Sequence, residues 1–343
     1  MISEQNQVNS KPNRGRLYCS IEKFRPYLFF SLVDYRNSYF MSNDPDKIIE
    51  FYKSFESRDQ LIEWMKERPK GTANIYEIEG NKEIIVVIPT ADFNGKYAKE
   101  CRESIFKGLH IIFVESGGKG DFYFNLAHNY NIGIRKAVEY NPKWIVVSND
   151  DMYKIDDINV LRNELQKKDS SKFHALYTRP STYHSIPAYL GIPKSVSETF
   201  IEVAYSIFNK KLKLYFMTKR IRELYKVRWI AASPKGVIRD FFFLETVFYI
   251  LTSSFSIFSG SWAKEEDNII YNEYYINGVE DMELSLKICA SKEYDFIDYK
   301  IGDIIGGTLG NPRNSYFISR TLRDLVNWIY LDSRMDSIVH QFV

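Results

Sequence analysis

Three short apolar runs set the pattern of this chain. Ile84–Ile88 (IIVVI), Ile111–Val114 (IIFV) and Trp144–Val147 (WIVV) are each four or five residues long and rich in β-branched side chains. Runs of that length and composition read as strands buried on both faces. Helical patterns lie between them, over about 96–106 and within 123–140. Strands alternating with helices at this spacing predict a mostly parallel, doubly wound sheet. Each run empties into polar or glycine-rich residues: Pro89-Thr90, then Glu115-Ser116-Gly117-Gly118, then Ser148-Asn149-Asp150-Asp151. The carboxyl ends of such strands share the crevice where open α/β sheets place their ligands.

Outside this unit the pattern is more varied. Tyr27–Val33 reads as a strand and Ile75–Ile78 as another. Asp44-Pro45 opens one helical pattern, and Ser57 or Asp59 starts a second that ends before Pro69. A helix is predicted from Asp156-Asp157 to about Lys167, and a strand over Phe173–Tyr177. The greasy run Phe241–Phe258 contains Glu245 and several hydroxyl residues, so it reads as a buried strand–helix segment and not a membrane span. Ser259–Trp262 reads as a small-residue loop, and Gly278 precedes a helix whose first turn is acidic. An amphipathic helix closes the pattern over about Tyr316–Tyr330. The division expected is an N-terminal extension, 1–80, packed on a main domain, 81–343. That domain splits into a nucleotide-binding half (81–165) and an acceptor-binding half (166–343).

Composition narrows the classes. Of 343 residues, 45% are apolar and 16% aromatic, enough for a sizeable core. A formal net charge of +2 gives no bulk preference for nucleic acid. Cys19, Cys101 and Cys289 are widely spaced and odd in number, fitting neither a disulfide framework nor a zinc site and favouring a reducing compartment. The first residues, MISEQNQVNSKPNRGR, have no apolar stretch of the signal-peptide kind and read as disordered. A cytoplasmic location follows as the expectation. Gly117–Asp121 (GGKGD) lacks the Ser/Thr of a phosphate loop, and no GxGxxG follows any strand.

Two acidic sites carry the candidate chemistry. Asn149-Asp150-Asp151 closes a buried strand, where adjacent carboxylates repel unless a cation or donors stand between them. A hard divalent metal satisfies such a pair, and a turn followed by a helix cap is the other account. Glu280-Asp281 follows Gly278 at a helix start, where acids are also favoured by the helix dipole. A basic, aromatic-interleaved segment carries Lys210, Lys211, Lys213, Lys219, Arg220, Arg222, Lys226 and Arg228 against Glu223. It reads either as a solvated face or as a surface for anionic headgroups or a phosphorylated acceptor, with peripheral contact at the inner membrane face through 210–228.

In order and spacing, VVIPT (86–90), FVESGG (113–118), NIGIRKA (131–137), VVSNDD (146–151) and GVEDMELSLKI (278–288) resemble family 2 glycosyltransferases of GT-A fold. The resemblance spans about 83–330. It implies an α/β GT-A fold, with a Rossmann-like, mostly parallel sheet flanked by helices. It also implies metal-dependent, inverting transfer of a sugar from a nucleoside-diphosphate sugar to a hydroxyl of a saccharide, lipid-linked or protein acceptor. On that resemblance Pro89, Thr90 and Glu115 hold the nucleoside, and Asn131 and Gly133 line its pocket. Asn149-Asp150-Asp151 stands for the DxD motif, with Asn in the first acidic place. Asp150 then lies near the donor ribose or sugar, and Asp151 binds Mn²⁺ or Mg²⁺. Asp281 is the implied base, with Glu280 helping to hold donor or acceptor. Many members carry a His ahead of a late GG segment as a further ligand. This chain has none there, and Asp303 is the nearest polar candidate. A nucleotidyltransferase and a non-catalytic nucleotide- or carbohydrate-binding module are the alternatives. The first lacks its glycine-rich GGxGTR-like loop, and the intact Glu280-Asp281 weighs against the second.

Overall fold

The computed structural model describes residues 35–116, 121–179, 184–193, 212–228, 230–232, 243–304 and 315–339. The strand expected at 27–33, Gly117-Gly118, Lys210-Lys211 and the 305–308 loop lie outside these residues.

After a helical stretch over 35–40, α1 (Pro45–Lys53) starts where Asp44 caps the Asp46 N–H and Pro45 occupies the first turn. Then α2 (Arg58–Glu67) is capped by Ser57, whose hydroxyl accepts from Gln60 N. Next come β1 (Ala73–Ile78), β2 (Asn81–Thr90), α3 (Lys96–Glu100), a π-turn over Cys101–Ile105, and β3 (Leu109–Ser116). The predicted 96–106 helix thus widens in its second half. Its π-turn carries Cys101 to the Asp150 carbonyl, where the thiol donates at 3.3 Å. The chain continues through α4 (Leu126–Val138), β4 (Trp144–Ser148), β5 (Met152–Lys154), α5 (Ile158–Gln166), β6 (Ala175–Thr178), β7 (Ser185–Pro193), α6 (Leu212–Leu224) and β8 (Ile230–Ala232).

Among its described residues the greasy run forms no helix: they make β9 (Phe243–Leu251), a turn at 252–254, and β10 (Phe255–Ser259). Its Phe, Val, Ile and Tyr residues favour pleated packing, and β9 pairs along its whole length with β7. The loop expected over Ser259–Trp262 is instead the last residue of β10 followed by the first turn of a helix. Ser259 caps α7 (Gly260–Glu265) by accepting from Trp262 N. Last come α8 (Glu280–Ser291), β11 (Tyr294–Ile297), β12 (Ile301–Asp303) and α9 (Ser315–Val339). The helix α9 runs nine residues past the predicted end at Tyr330, because Leu331, Met335 and Ile338 continue its buried face.

The protein is α/β, built on a seven-stranded mixed sheet in the order β1-β3-β2-β4-β10-β6-β11. The Ile84, Ile111 and Trp144 runs lie side by side in it as β2, β3 and β4. β2 is parallel to both β3 and β4, and β6 is parallel to β11. β1 and β10 run against their neighbours. One sheet face packs on α5 and the 96–106 helical segment, and the other on α4, α7 and α8. A third apolar core joins α1 and α2 to α6 and α9, so residues before 70 and after 315 are buried together. Among the described residues no helix is long and apolar enough to cross a membrane.

Candidate functional site

Four chain segments meet at the carboxyl ends of β2 and β4. Past Val87, β2 has no β4 partner, and Pro89, which has no N–H to offer a ladder, follows two residues later. Thr90 ends the strand and aims its hydroxyl at Asp150 Oδ2, 2.7 Å away. Burial and then the charge of Asp151 raise the Asp150 pKa, and the Thr90 hydrogen bond opposes that rise.

Beyond Asp151 the chain turns into β5, which pairs with β12 so that Asp303 stands opposite Met152. The Ile304 N–H donates to the Asp151 carbonyl at 2.9 Å, closing the ribbon. Burial and the neighbouring Asp151 push Asp303 up to about 6. Asp151 is itself raised by burial. A half-buried carboxylate pair of this kind favours a cation between its members. Among the described residues no group of three or more His, Cys, Asp or Glu side chains is placed to hold a metal. Two carboxylates alone are too few to enclose a hard cation, which takes about six oxygen ligands or more.

Asn149 leads into the second acidic site. Its N–H donates to the Ser254 carbonyl at 2.9 Å. Its side-chain Oδ1, as assigned, and the Ser253 carbonyl both lie 2.7 Å from the Tyr130 hydroxyl. One phenolic hydrogen cannot serve two acceptors. The amide turned over resolves this, with Asn149 NH₂ donating to the Tyr130 oxygen and Tyr130 donating to Ser253. An aspartate at 149 could not donate to the Tyr130 hydroxyl. Ser253 N–H in turn points at Asp281 Oδ2, 3.4 Å away.

The α8 start carries the second pair. Val279, a β-branched residue, adopts the left-handed conformation with φ of 70° and offers no side-chain cap. Such a backbone costs on the order of 1–3 kcal/mol and is held by its surroundings. It sets Glu280 and Asp281 on adjacent first-turn positions. Asp281 is half-buried and its pKa is raised by burial, against the N–H groups of Ser253 and Met282. Glu280 is 3% exposed, and its Oε2 has no hydrogen-bond partner. Burial first, then the charges of Asp281 and of Asp324 on α9, push Glu280 up to about 8. Of the two, Glu280 is the more buried, and the neighbouring Asp281 charge adds to the cost of ionising it.

The other predicted residues divide. Glu115 sits at the end of β3, where its Oε1 accepts from Phe93 N–H at 2.8 Å. Its charge raises the Tyr76 hydroxyl, and the Tyr76 ring stacks on Phe93 at 4.4 Å. Asn131 and Gly133 are interior residues. Asn131 is fully buried; its amide donates to Tyr271 O and Glu273 Oε1 and accepts from Ile270 N and Tyr271 N. Every place on that side chain is taken in pinning the 270–273 segment. A Cβ on Gly133 would lie 2.3 Å from Val87 Cγ1, so glycine there lets α4 approach the sheet.

Several participants carry no sequence signal that singles them out. Tyr130 lies in the Asn129–Gly133 run but reads as one more apolar helix position. Ser253 is one hydroxyl of a turn. His184 is buried between Ser254 Oγ and the Ile301 carbonyl, 3.0 Å from each, and joins the 252–254 turn to β12. Burial pushes it down to about 4, so it is neutral. In the basic segment, Arg228 is committed to α9 through its N–H on Asp332 and its guanidinium on Asp336.

Compared with protein-family models, curated proteins and solved structures, the chain matches none of them.

Proposed function

We propose that the chain is a GT-A-fold, family 2-like glycosyltransferase that moves a sugar from a nucleoside-diphosphate donor to an acceptor hydroxyl with inversion. The observation that carries this is the linkage of two acidic sites from distant parts of the chain. Tyr130 and Ser253 connect the Asn149-Asp150-Asp151 turn to Asp281 through two contacts of 2.7 Å and one of 3.4 Å. Sugar transfer from a diphosphate needs two such groups: one to meet the charge growing on the leaving phosphates, and a separate one to take the acceptor proton.

Asp281 fills the second role best. It is the less buried of its pair, and burial together with the Asp281 charge works against ionising Glu280, which leaves Asp281 the better placed to accept a proton. Asp151 and Asp303 fill the first role as the residues to hold Mn²⁺ or Mg²⁺. Such a cation, when bound, would offset the charge on the departing diphosphate. Asp150, fixed by Thr90, faces the same crevice and suits a donor ribose or sugar hydroxyl. Glu115 and the Tyr76–Phe93 stack beside it offer an acceptor and an aromatic surface for a nucleoside.

The test is release of nucleoside diphosphate from a panel of nucleotide sugars with Mn²⁺, with and without simple saccharide acceptors. Turnover that requires an acceptor supports the reading. Binding without turnover across the panel returns the chain to a non-catalytic module, and pyrophosphate release from nucleoside triphosphates makes it a nucleotidyltransferase.

A further inference from the structure

The basic segment singled out in the sequence has a structural counterpart outside the carboxylate crevice. α6 packs beside α1, and between them opens a groove of about 310 Å³. Ile49, Tyr52, Met217, Ile221 and Leu224 line it together with Lys53 and Arg220, whose side chains are exposed to solvent. Its floor is firm: Tyr52 donates to the Leu322 carbonyl on α9 at 2.6 Å, and Tyr225 donates to the Tyr52 carbonyl at 2.6 Å. Leu224 is 55% exposed, leaving apolar surface open at one end.

A concave apolar site of about 300 Å³ or more with a few placed polar groups has the usual make-up of a small-molecule pocket. The polar groups here are cationic. Lys53 is shared with Glu50 at 2.7 Å, whereas Arg220 is exposed and forms no ion pair among the described residues. The groove therefore carries unspent positive charge among apolar side chains. That combination selects a ligand with a hydrocarbon tail and an anionic head. A neutral chain leaves Arg220 unused, and a bare anion leaves the walls wet.

We propose that the groove between α1 and α6 binds the alkyl chain of an anionic single-chain amphiphile, with the head group at Arg220 and Lys53. None of the seven lining residues belongs to the carboxylate crevice, so binding is measurable whatever the outcome for sugar transfer.

The experiment is calorimetry on the full chain with octyl and decyl phosphate, decanoate, decanol, decyltrimethylammonium and inorganic phosphate, all below their micelle concentrations. Burial of each added methylene should tighten binding about fourfold until the groove is full. Decyl phosphate and decanoate should bind about tenfold more tightly than decanol. Arg220→Glu should remove that preference while leaving decanol affinity unchanged, and Met217→Trp should weaken all chains by filling the slot. Leu224→Glu, an exposed change that leaves the core intact, should weaken the chains and spare inorganic phosphate. No heat with any alkyl compound overturns the proposal. So does equal affinity for the cationic amphiphile, or inorganic phosphate binding as tightly as decyl phosphate.

Discussion

Asp303 stands beside Asp151 across the β5–β12 ribbon, with the Ile304 N–H donating to the Asp151 carbonyl at 2.9 Å. The ribbon joins residues far apart in sequence and brings two half-buried carboxylates into one neighbourhood. Asp151→Asn and Asp303→Asn should each lower the affinity of Mn²⁺ with a nucleoside diphosphate by tenfold or more, about 1.4 kcal/mol. Calorimetry on the folded variants reads this directly. Unchanged affinity in both would remove the cation from the ribbon.

Glu280 supplies a pH test of the second acidic pair. Its folded pKa of about 8 lies above the usual carboxylate value of 4.5. Between those values the folded chain keeps a proton that the unfolded chain has released. Stability is therefore lost as pH rises through that window. Asp281 and Asp324 are raised too and slope the same way, so the comparison must be differential. Glu280→Gln, which cannot ionise, should show a flatter fall in Tm from pH 5 to pH 8 than the wild-type chain. A parallel fall in both would mean Glu280 titrates normally.

Gly133 separates a packing role from a nucleotide-contact role. With Val87 Cγ1 only 2.3 Å from the place of a Cβ, Gly133→Ala should cost about 1–3 kcal/mol in urea unfolding. Nucleotide affinity per folded molecule should stay the same. A loss of nucleotide affinity without a loss of stability would put this glycine in the pocket.

Tyr130→Phe removes the hydroxyl shared by Asn149 and Ser253, both 2.7 Å away. The half-buried partners left behind should cost about 1 kcal/mol of stability. Turnover should fall more than donor affinity, because the turn that orients Asp281 loosens. Turnover unaffected in a folded variant would show that the two acidic sites work independently.

The strands at 84–88, 111–114 and 144–147 were legible because both faces of each are buried, which writes burial into composition alone. The helix starts at Asp44, at Ser57 or Asp59, and at Asp156-Asp157 were legible for a local reason, since the caps, Asp44, Ser57 and Asp157, each satisfy an N–H group within three residues. The greasy 241–258 run was not: a short apolar stretch looks alike as strand or helix until its partner is known, and that partner, β7, is decided by tertiary pairing. The acidic residues stood out at strand and helix ends. Their connectors did not, because Tyr130, Ser253 and His184 act through contacts 19 or more residues away. Asn131 and Gly133 show the converse, with a motif position and a glycine pointing to a pocket where the fold uses both for packing.

The central claim is that Asp281 is the base of a sugar transfer, and Asp281→Asn tests it most directly. The substitution keeps the shape and the Ser253 contact while removing the proton acceptor. With a donor and acceptor that the wild-type chain turns over, the rate should fall on the order of 10²–10⁴-fold while donor affinity holds within a few-fold. A wild-type chain that turns over no nucleotide sugar, or an Asp281→Asn variant that keeps near-normal turnover, would contradict the account.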